Sequence, residues 1–321
     1  MALKFAFLLI SGCGGCDMSI VDLSEKLVDA LESIEVVFWA PTVADVKYKD
    51  LKAMPDKSID VAFVAGMVRN KENEYLVKVL REKSKILFAF GACASIGGIP
   101  GMANLHSREE LFENAYIRSP STENPDRIIP QPRSLFNGYE LTLPEFLDEV
   151  RAVHQVVDVD YFVGGCPPHH EHVARVVESI VTGKLPPKGS WITNGKSVCD
   201  VCPRNPANRG ETREPVKEIR RMIEGVPEED KCLLQQGYLC LGPITQGDCG
   251  ACCPRVGIRC AGCGGPIPPV TDFGLRAIGS IAAILKDEKV VDQIFEKYPV
   301  LTKILYRYSL PTAMISKKGG L

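Results

Sequence analysis

The sequence predicts an α/β protein: a doubly wound parallel sheet over residues 1–183, then a mostly irregular, metal-binding half over 184–321. Three observations predict it. Apolar, β-rich runs alternate with amphipathic helical patterns through the first half, as in a parallel sheet covered on both faces. Beyond about residue 184, Pro, Gly and Cys dominate, and apolar periodicity fades until Asp272. Thirteen cysteines in 321 residues form three groups of four, with Cys252 left over.

The elements follow in order. Residues 4–10 read as the first strand, and 20–33 as a helix. Residues 34–39 and 59–66 read as the second and third strands. A charged helical stretch at 71–83 precedes the fourth strand at 85–91. A proline-, serine- and asparagine-rich segment at 117–139 reads as a long inserted loop, a feature that is usually functional. Residues 143–153 carry a helical pattern, 157–164 the fifth strand and 171–181 another helix. A flavodoxin-like strand order fits this alternation. Residues 273–308 look helical and are expected to fold back onto the body.

Composition narrows the function. Hydrophobic residues make up 45%, enough for a real core, and net charge is −2 with a pI near 6.3. No basic run points to nucleic acid or an anionic membrane. No apolar stretch reaches the length of a membrane span, and no leader with a cleavage site or twin arginine precedes the cysteines. A cytoplasmic location is expected. In that reducing compartment many cysteines mean metal more often than disulfides.

The first set is Cys13, Cys16, Cys93 and Cys166. They lie in Ser11-Gly12-Cys13-Gly14-Gly15-Cys16, Gly91-Ala92-Cys93-Ala94-Ser95 and Gly164-Gly165-Cys166-Pro167-Pro168. Each segment follows a predicted strand, so all four thiols are expected at the carboxyl edge where open α/β sheets bind ligands. The glycines allow backbone close to a bulky inorganic group. A redox disulfide at Cys13 and Cys16 would leave Cys93 and Cys166 unexplained. The second set is Cys199, Cys202, Cys232 and Cys240. The third is Cys249, Cys253, Cys260 and Cys263, in C-x3-C-x6-C-x2-C order. Cys253 is preferred to Cys252 because Pro254 follows it, and Cys-Pro recurs in iron–sulfur sequences. Four thiolates per set is the stoichiometry of a 4Fe–4S cubane. Structural zinc is the competing reading for the C-x2-C pairs.

These motifs resemble the small, electron-transferring subunit of nickel–iron hydrogenases over nearly the whole chain. The likeness is to the cytoplasmic, methylviologen-reducing, heterodisulfide-reductase-associated type of methanogenic archaea. The resemblance implies a proximal 4Fe–4S cluster on the first set, a medial one on the third and a distal one on the second. Periplasmic members have histidine where this chain has Cys199, and three cysteines where its third set offers four. It further implies electron flow from dihydrogen, split at the nickel–iron centre of a large subunit, to a 2Fe–2S adaptor subunit and a heterodisulfide reductase complex. No catalytic residue, nickel, flavin or nucleotide is expected on this chain itself. The alternatives are a quinone-linked small subunit like that of respiratory complex I, and a hydrogenase linked to deazaflavin or NAD(P). The complex I relative has adjacent cysteines in place of Cys13-x2-Cys16 and lacks a cysteine-rich second half.

Other features carry weaker signals. His169, His170 and His172 read as a polar helix start rather than a metal site. His170, or the loop with Asn104 and His106, and Asp17 are candidates for a partner surface. Arg204 and Arg255, each after a Cys-Pro pair, could offset cluster charge or be solvated. Trp39 and Trp191 are expected in the core or an interface. Cys252 reads as a buried or half-buried free thiol.

Overall fold

The computed structural model describes residues 2–40 and 46–315. Its strands are β1 (Leu3–Leu9), β2 (Ile34–Ala40), β3 (Ile59–Ala65), β4 (Val68–Asn70), β5 (Ser84–Phe90), β6 (Arg133–Phe136), β7 (Tyr139–Thr142), β8 (Phe146–Arg151), β9 (Tyr161–Val163) and β10 (Ser190–Trp191). Its helices are α1 (Gly15–Val21), α2 (Glu25–Leu31), α3 (Tyr48–Ala53), α4 (Lys71–Lys83), α5 (Ala92–Ile96), α6 (Arg108–Phe112), α7 (His170–Val181), α8 (Val198–Val201), α9 (Cys252–Arg255), α10 (Phe273–Ala282), α11 (Glu288–Lys297) and α12 (Thr302–Leu305).

The main sheet runs β10-β9-β5-β3-β1-β2, with every pair parallel. Counting only its own strands, this is the flavodoxin-like order with one further strand at the edge. Side chains alternate between its faces with the strand period of two. Phe5, Phe7, Phe63, Phe88, Phe90 and Tyr161 point to one face and meet Ile20, Val173, Val176 and Ile180 of α1 and α7. Phe63 is the hub: its ring stacks on Phe90 at 4.8 Å and meets Phe5 edge-on at 5.0 Å. Smaller residues, such as Ala6, Ala62, Val64 and Ala89, face the other way and pack against Leu51 of α3 and Leu76, Val77 and Leu80 of α4. Continuous apolar strands in the sequence therefore reflect burial on both faces.

The structure departs from the sequence expectations in several places. Residues 143–153 are not a helix. Phe146–Arg151 is strand β8, antiparallel to β4, with a register shift in that pairing. The shift lets Leu147 and Val150 both face inward at a spacing of three, which imitates a helical period. Residues 20–33 hold the end of α1 and a separate α2, and the expected loop at 117–139 ends in an exposed hairpin of β6 and β7. Trp191 lies in β10, so the sheet draws its edge strand from residues past 183.

The second half has a core of its own. Phe273, Ala277, Ile281, Val290, Ile294, Leu305 and Tyr306 from α10–α12 cover Val216, Ile219, Leu239, Leu241 and Ile244. The helical stretch expected at 273–308 is three short helices. Asp272 organises their start: its carboxylate accepts from Leu275 N, Tyr306 Oη and Met314 N at 2.7–2.9 Å. Pro311 then sits against Gly97 and Gly101 beside the Cys93 loop, and Gln155 Nε2 donates to its carbonyl at 2.8 Å.

Phe63→Ala would empty the centre of the aromatic face. It should cost about 3–5 kcal/mol, read as a lower denaturation midpoint under anaerobic conditions. An unchanged midpoint would contradict this account of the core.

Candidate functional site

The first cysteine set converges. Cys13 and Cys16 follow β1, Cys93 follows β5 in α5, and Cys166 follows β9. All four line one cavity walled by Gly12, Gly14, Gly15, Gly66 and Gly165. Two glycines are required by the thiols themselves. A Cβ on Gly91 would lie 2.5 Å from Cys16 Sγ, and one on Gly98 would lie 2.5 Å from Cys93 Sγ. Both also sit at positive φ, 85° and 64°, where glycine has no steric penalty. Cys13 and Cys166 are exposed, while Cys16 and Cys93 are partly covered.

Burial and mutual proximity set the electrostatics of these thiols. Burial, then the neighbouring thiols Cys93, Cys166 and Cys13, push the Cys16 thiol far up. Burial, then Cys166 and Cys13, push Cys93 up to about 12. Thiolates placed this close together, two of them partly covered, are costly unless cations lie among them. Among the described residues, no three His, Cys, Asp or Glu side chains converge on a position for one metal ion. Four thiolates are the ligand count of an iron–sulfur cubane and also of a structural zinc site.

The second set gathers around α8. Ser197 caps this helix, which carries Cys199, and Cys202 ends it. Asn205 and Asn208 donate to the Cys199 carbonyl at 2.9 and 3.0 Å, fixing the C-x2-C loop. Gly242 leaves room beside Cys199 and Cys240, since its Cβ would stand 3.2 and 3.6 Å from their sulfurs. Burial, then Cys240, push Cys199 up to about 12; Arg213 opposes this, and Cys232 and Cys202 add to it. Burial, with Cys232 and Cys202 adding to it, pushes Cys240 up to about 11.

In the third set, burial, then Cys249, Cys166 and Cys253, push Cys263 up to about 12. Burial, then Cys240 and Cys263, raise Cys260 strongly. Cys252, expected to be at least half-buried, is exposed like Cys253 at the start of α9. No described residue covers either side chain, and the two sulfurs are 3.9 Å apart. Cys252 acts on Cys249 and Cys253 acts on Cys263, so both thiols reach this set. A cavity of about 320 Å³ is lined by Cys166, Cys249, Cys252, Cys253 and Cys263.

The third set stands between the other two. Gly165 N–H donates to the Cys263 carbonyl at 3.0 Å, beside Cys166 of the first set. On the other side Cys260 N–H donates to Cys240 Sγ at 3.2 Å, and Leu241 N–H donates to the Cys260 carbonyl at 2.9 Å. The spatial order is therefore first, third, second, although the chain order is first, second, third.

The smaller features resolve as follows. Asp17 is not on a surface: it is buried and accepts from Trp39 Nε1 at 2.9 Å. His172 is buried, with Nε2 2.7 Å from the Ile192 carbonyl. His169 and His170 stack at 4.2 Å, and His169 Nδ1 has no partner within the described residues. The Asn104 side chain bonds both backbone groups of Val150, while His106 pairs with Glu110 at 2.9 Å. Arg204 is buried and donates to the Glu228 carbonyl, whereas Arg255 is exposed. Sequence reasoning missed Arg259. This buried cation feels both Cys240 and Cys260, and its guanidinium donates to the Leu239 carbonyl at 3.0 Å. Its place next to Cys260 was the available signal. Asp248, beside Cys249, was also missed; it accepts from Arg175 and Thr193, both at 2.7 Å.

Comparisons with known proteins identify the family of the chain. Residues 13–180 match the family described as NADH ubiquinone oxidoreductase, 20 Kd subunit. The chain is 73% identical over 318 residues, 99% of both chains, to the iron-sulfur subunit of the F420-non-reducing hydrogenase of Archaeoglobus profundus. It is 36% identical to a subunit of the F420-non-reducing hydrogenase of Methanothermobacter thermautotrophicus, covering 98% of this chain and 97% of that one. Its fold is similar to a chain of the [NiFeSe] hydrogenase of Desulfovibrio vulgaris Hildenborough, with TM-score 0.51 and 17% identity over 84% of this chain and 95% of that one. The chain belongs to the NADH ubiquinone oxidoreductase 20 kDa subunit family, and within it to the hydrogenase small subunits of the F420-non-reducing type.

Two substitutions test the site. Gly91→Ala should remove about four irons, because its methyl group takes the space beside Cys16; full iron content would contradict the cavity assignment. Cys252→Ser should leave iron content unchanged, whereas loss of about four irons would make Cys252 the ligand in place of Cys253.

Proposed function

We propose that this hydrogenase small subunit conducts electrons through three 4Fe–4S sites. Cys13, Cys16, Cys93 and Cys166 would hold the proximal cluster. Cys249, Cys253, Cys260 and Cys263 would hold the medial one, and Cys199, Cys202, Cys232 and Cys240 the distal one. When bound, such clusters supply reversible one-electron storage with little change in structure. Dihydrogen would be split at the nickel–iron centre of the partner large subunit, and this chain would carry no nickel, flavin or nucleotide.

The observation that carries this reading is the run of three thiol sets joined by backbone hydrogen bonds in the order first, third, second. The protein's own task is to hold and tune. Thiolates fix the metal, glycine walls admit it, and Arg259 and backbone N–H groups stabilise negative charge around it. Cys13 and Cys166 are exposed, which suits the first set to facing the large subunit.

The further partners we propose are a 2Fe–2S adaptor subunit at the distal end and a heterodisulfide reductase complex beyond it. Among the described residues no helix is long and apolar enough to cross a membrane. A cytoplasmic location is proposed from the reducing conditions that free thiols need. The complex-I-like reading accounts less well for the second half, because the family match ends at residue 180 while the hydrogenase relatives align nearly end to end.

Cys13→Ala in the intact complex tests this. Dihydrogen-driven dye reduction should fall at least about 10–100-fold, the loss that follows removal of even an outer-shell partner of a metal. A wild-type rate would contradict the assignment.

A further inference from the structure

The meeting of the first and third sets is made of backbone alone. β9 ends at Val163, and the chain continues as Gly164-Gly165-Cys166 directly against Cys263-Gly264. Gly165 N–H donates to the Cys263 carbonyl at 3.0 Å. No side chain fits here. A Cβ on Gly164 would overlap the Gly264 carbonyl, and one on Gly264 would lie 2.8 Å from the Gln246 carbonyl oxygen. Gly165 has φ 128°, and a Cβ there would meet Pro168.

The contact is also clamped from both sides. Gln246, 1% exposed, donates from its backbone to the Gly265 carbonyl at 3.1 Å and from its side chain to the Pro266 carbonyl at 2.8 Å. On the strand side His172, 2% exposed, bonds the Ile192 carbonyl at 2.7 Å from α7. Arg175, one turn along α7, holds Asp248 next to Cys249. Glycine costs conformational entropy on folding, so three glycines at one contact signal that the backbones must touch.

Building on the function proposed above, we propose that this junction is the route by which electrons cross from the first set to the third, with Gly164 and Gly264 as its positioning residues. The route runs from the Cys166 side chain through its backbone to Gly165 N–H. It crosses one hydrogen bond to the Cys263 carbonyl and follows Cys263 to its sulfur. Every other link is covalent. One electron leaves the first set as the third gains it, and no bond is made or broken. The reductant is dihydrogen oxidised on the partner subunit, and the oxidant is a one-electron dye.

The test uses the anaerobically purified complex. Gly164→Ala should keep the iron and sulfide content and the midpoint potential of the first set. Dye reduction by dihydrogen should fall roughly tenfold or more, as small displacements from a productive geometry can cause. The magnetic splitting between the reduced first and third sets should weaken, a readout that general destabilisation would not move. Gly279→Ala, where nothing lies within 4 Å of an added Cβ, should change none of these. If Gly164→Ala loses iron, the milder Gly264→Ala decides by the same readouts. Full content with unchanged rate and splitting would overturn the route and leave the proposed function standing. A wild-type chain without iron and sulfide would overturn both.

Discussion

Everything in this molecule is arranged around the cost of burying thiolates close to one another. The cysteine sulfurs gather in three groups, the third including Cys252, and in each group burial is the largest influence on the thiols whose shift is evident. Neighbouring thiols add to it. In the function proposed here, a cluster at the centre of each set would supply the compensating positive charge and couple metal ligation to folding. The parallel sheet serves this constraint by bringing three strand ends to one edge. The second half serves it with a capped C-x2-C turn at Ser197, paired asparagines, and the buried Arg259 near Cys240 and Cys260.

The same constraint explains where side chains are missing. Gly91, Gly98, Gly164 and Gly264 are each at a place where a Cβ would strike a cysteine sulfur or the backbone of a facing loop. Aromatic residues fill one face of the sheet and small residues the other. The cysteine loops therefore emerge from a core packed on both sides and inherit its rigidity, which a donor set needs if its sulfurs are to keep their positions as charge changes.

Much of this was legible in the sequence. Doubly buried strands leave an unbroken apolar signature, and the Gly-Cys segments after β1, β5 and β9 mark the ligand edge directly. The helical reading of residues 143–153 failed because the register shift beside β4 placed Leu147 and Val150 at helical spacing within a strand. The sheet's last strand, at Trp191, was too short to register as a pattern. Sequence spacing also could not reveal that Cys260 and Cys263 reach toward different neighbours. That depends on backbone hydrogen bonds to Cys240 and from Gly165, contacts distant in the chain. Asp17 was misplaced for a related reason: a carboxylate next to a ligand looks exposed until Trp39 is seen above it.

The most direct measurement is the iron, acid-labile sulfide, zinc and nickel content of the anaerobically purified complex, resolved by subunit. This account predicts about twelve irons and about twelve sulfides on this chain, three cubanes in all, with nickel only on its partner. Zinc on this chain without sulfide would contradict it.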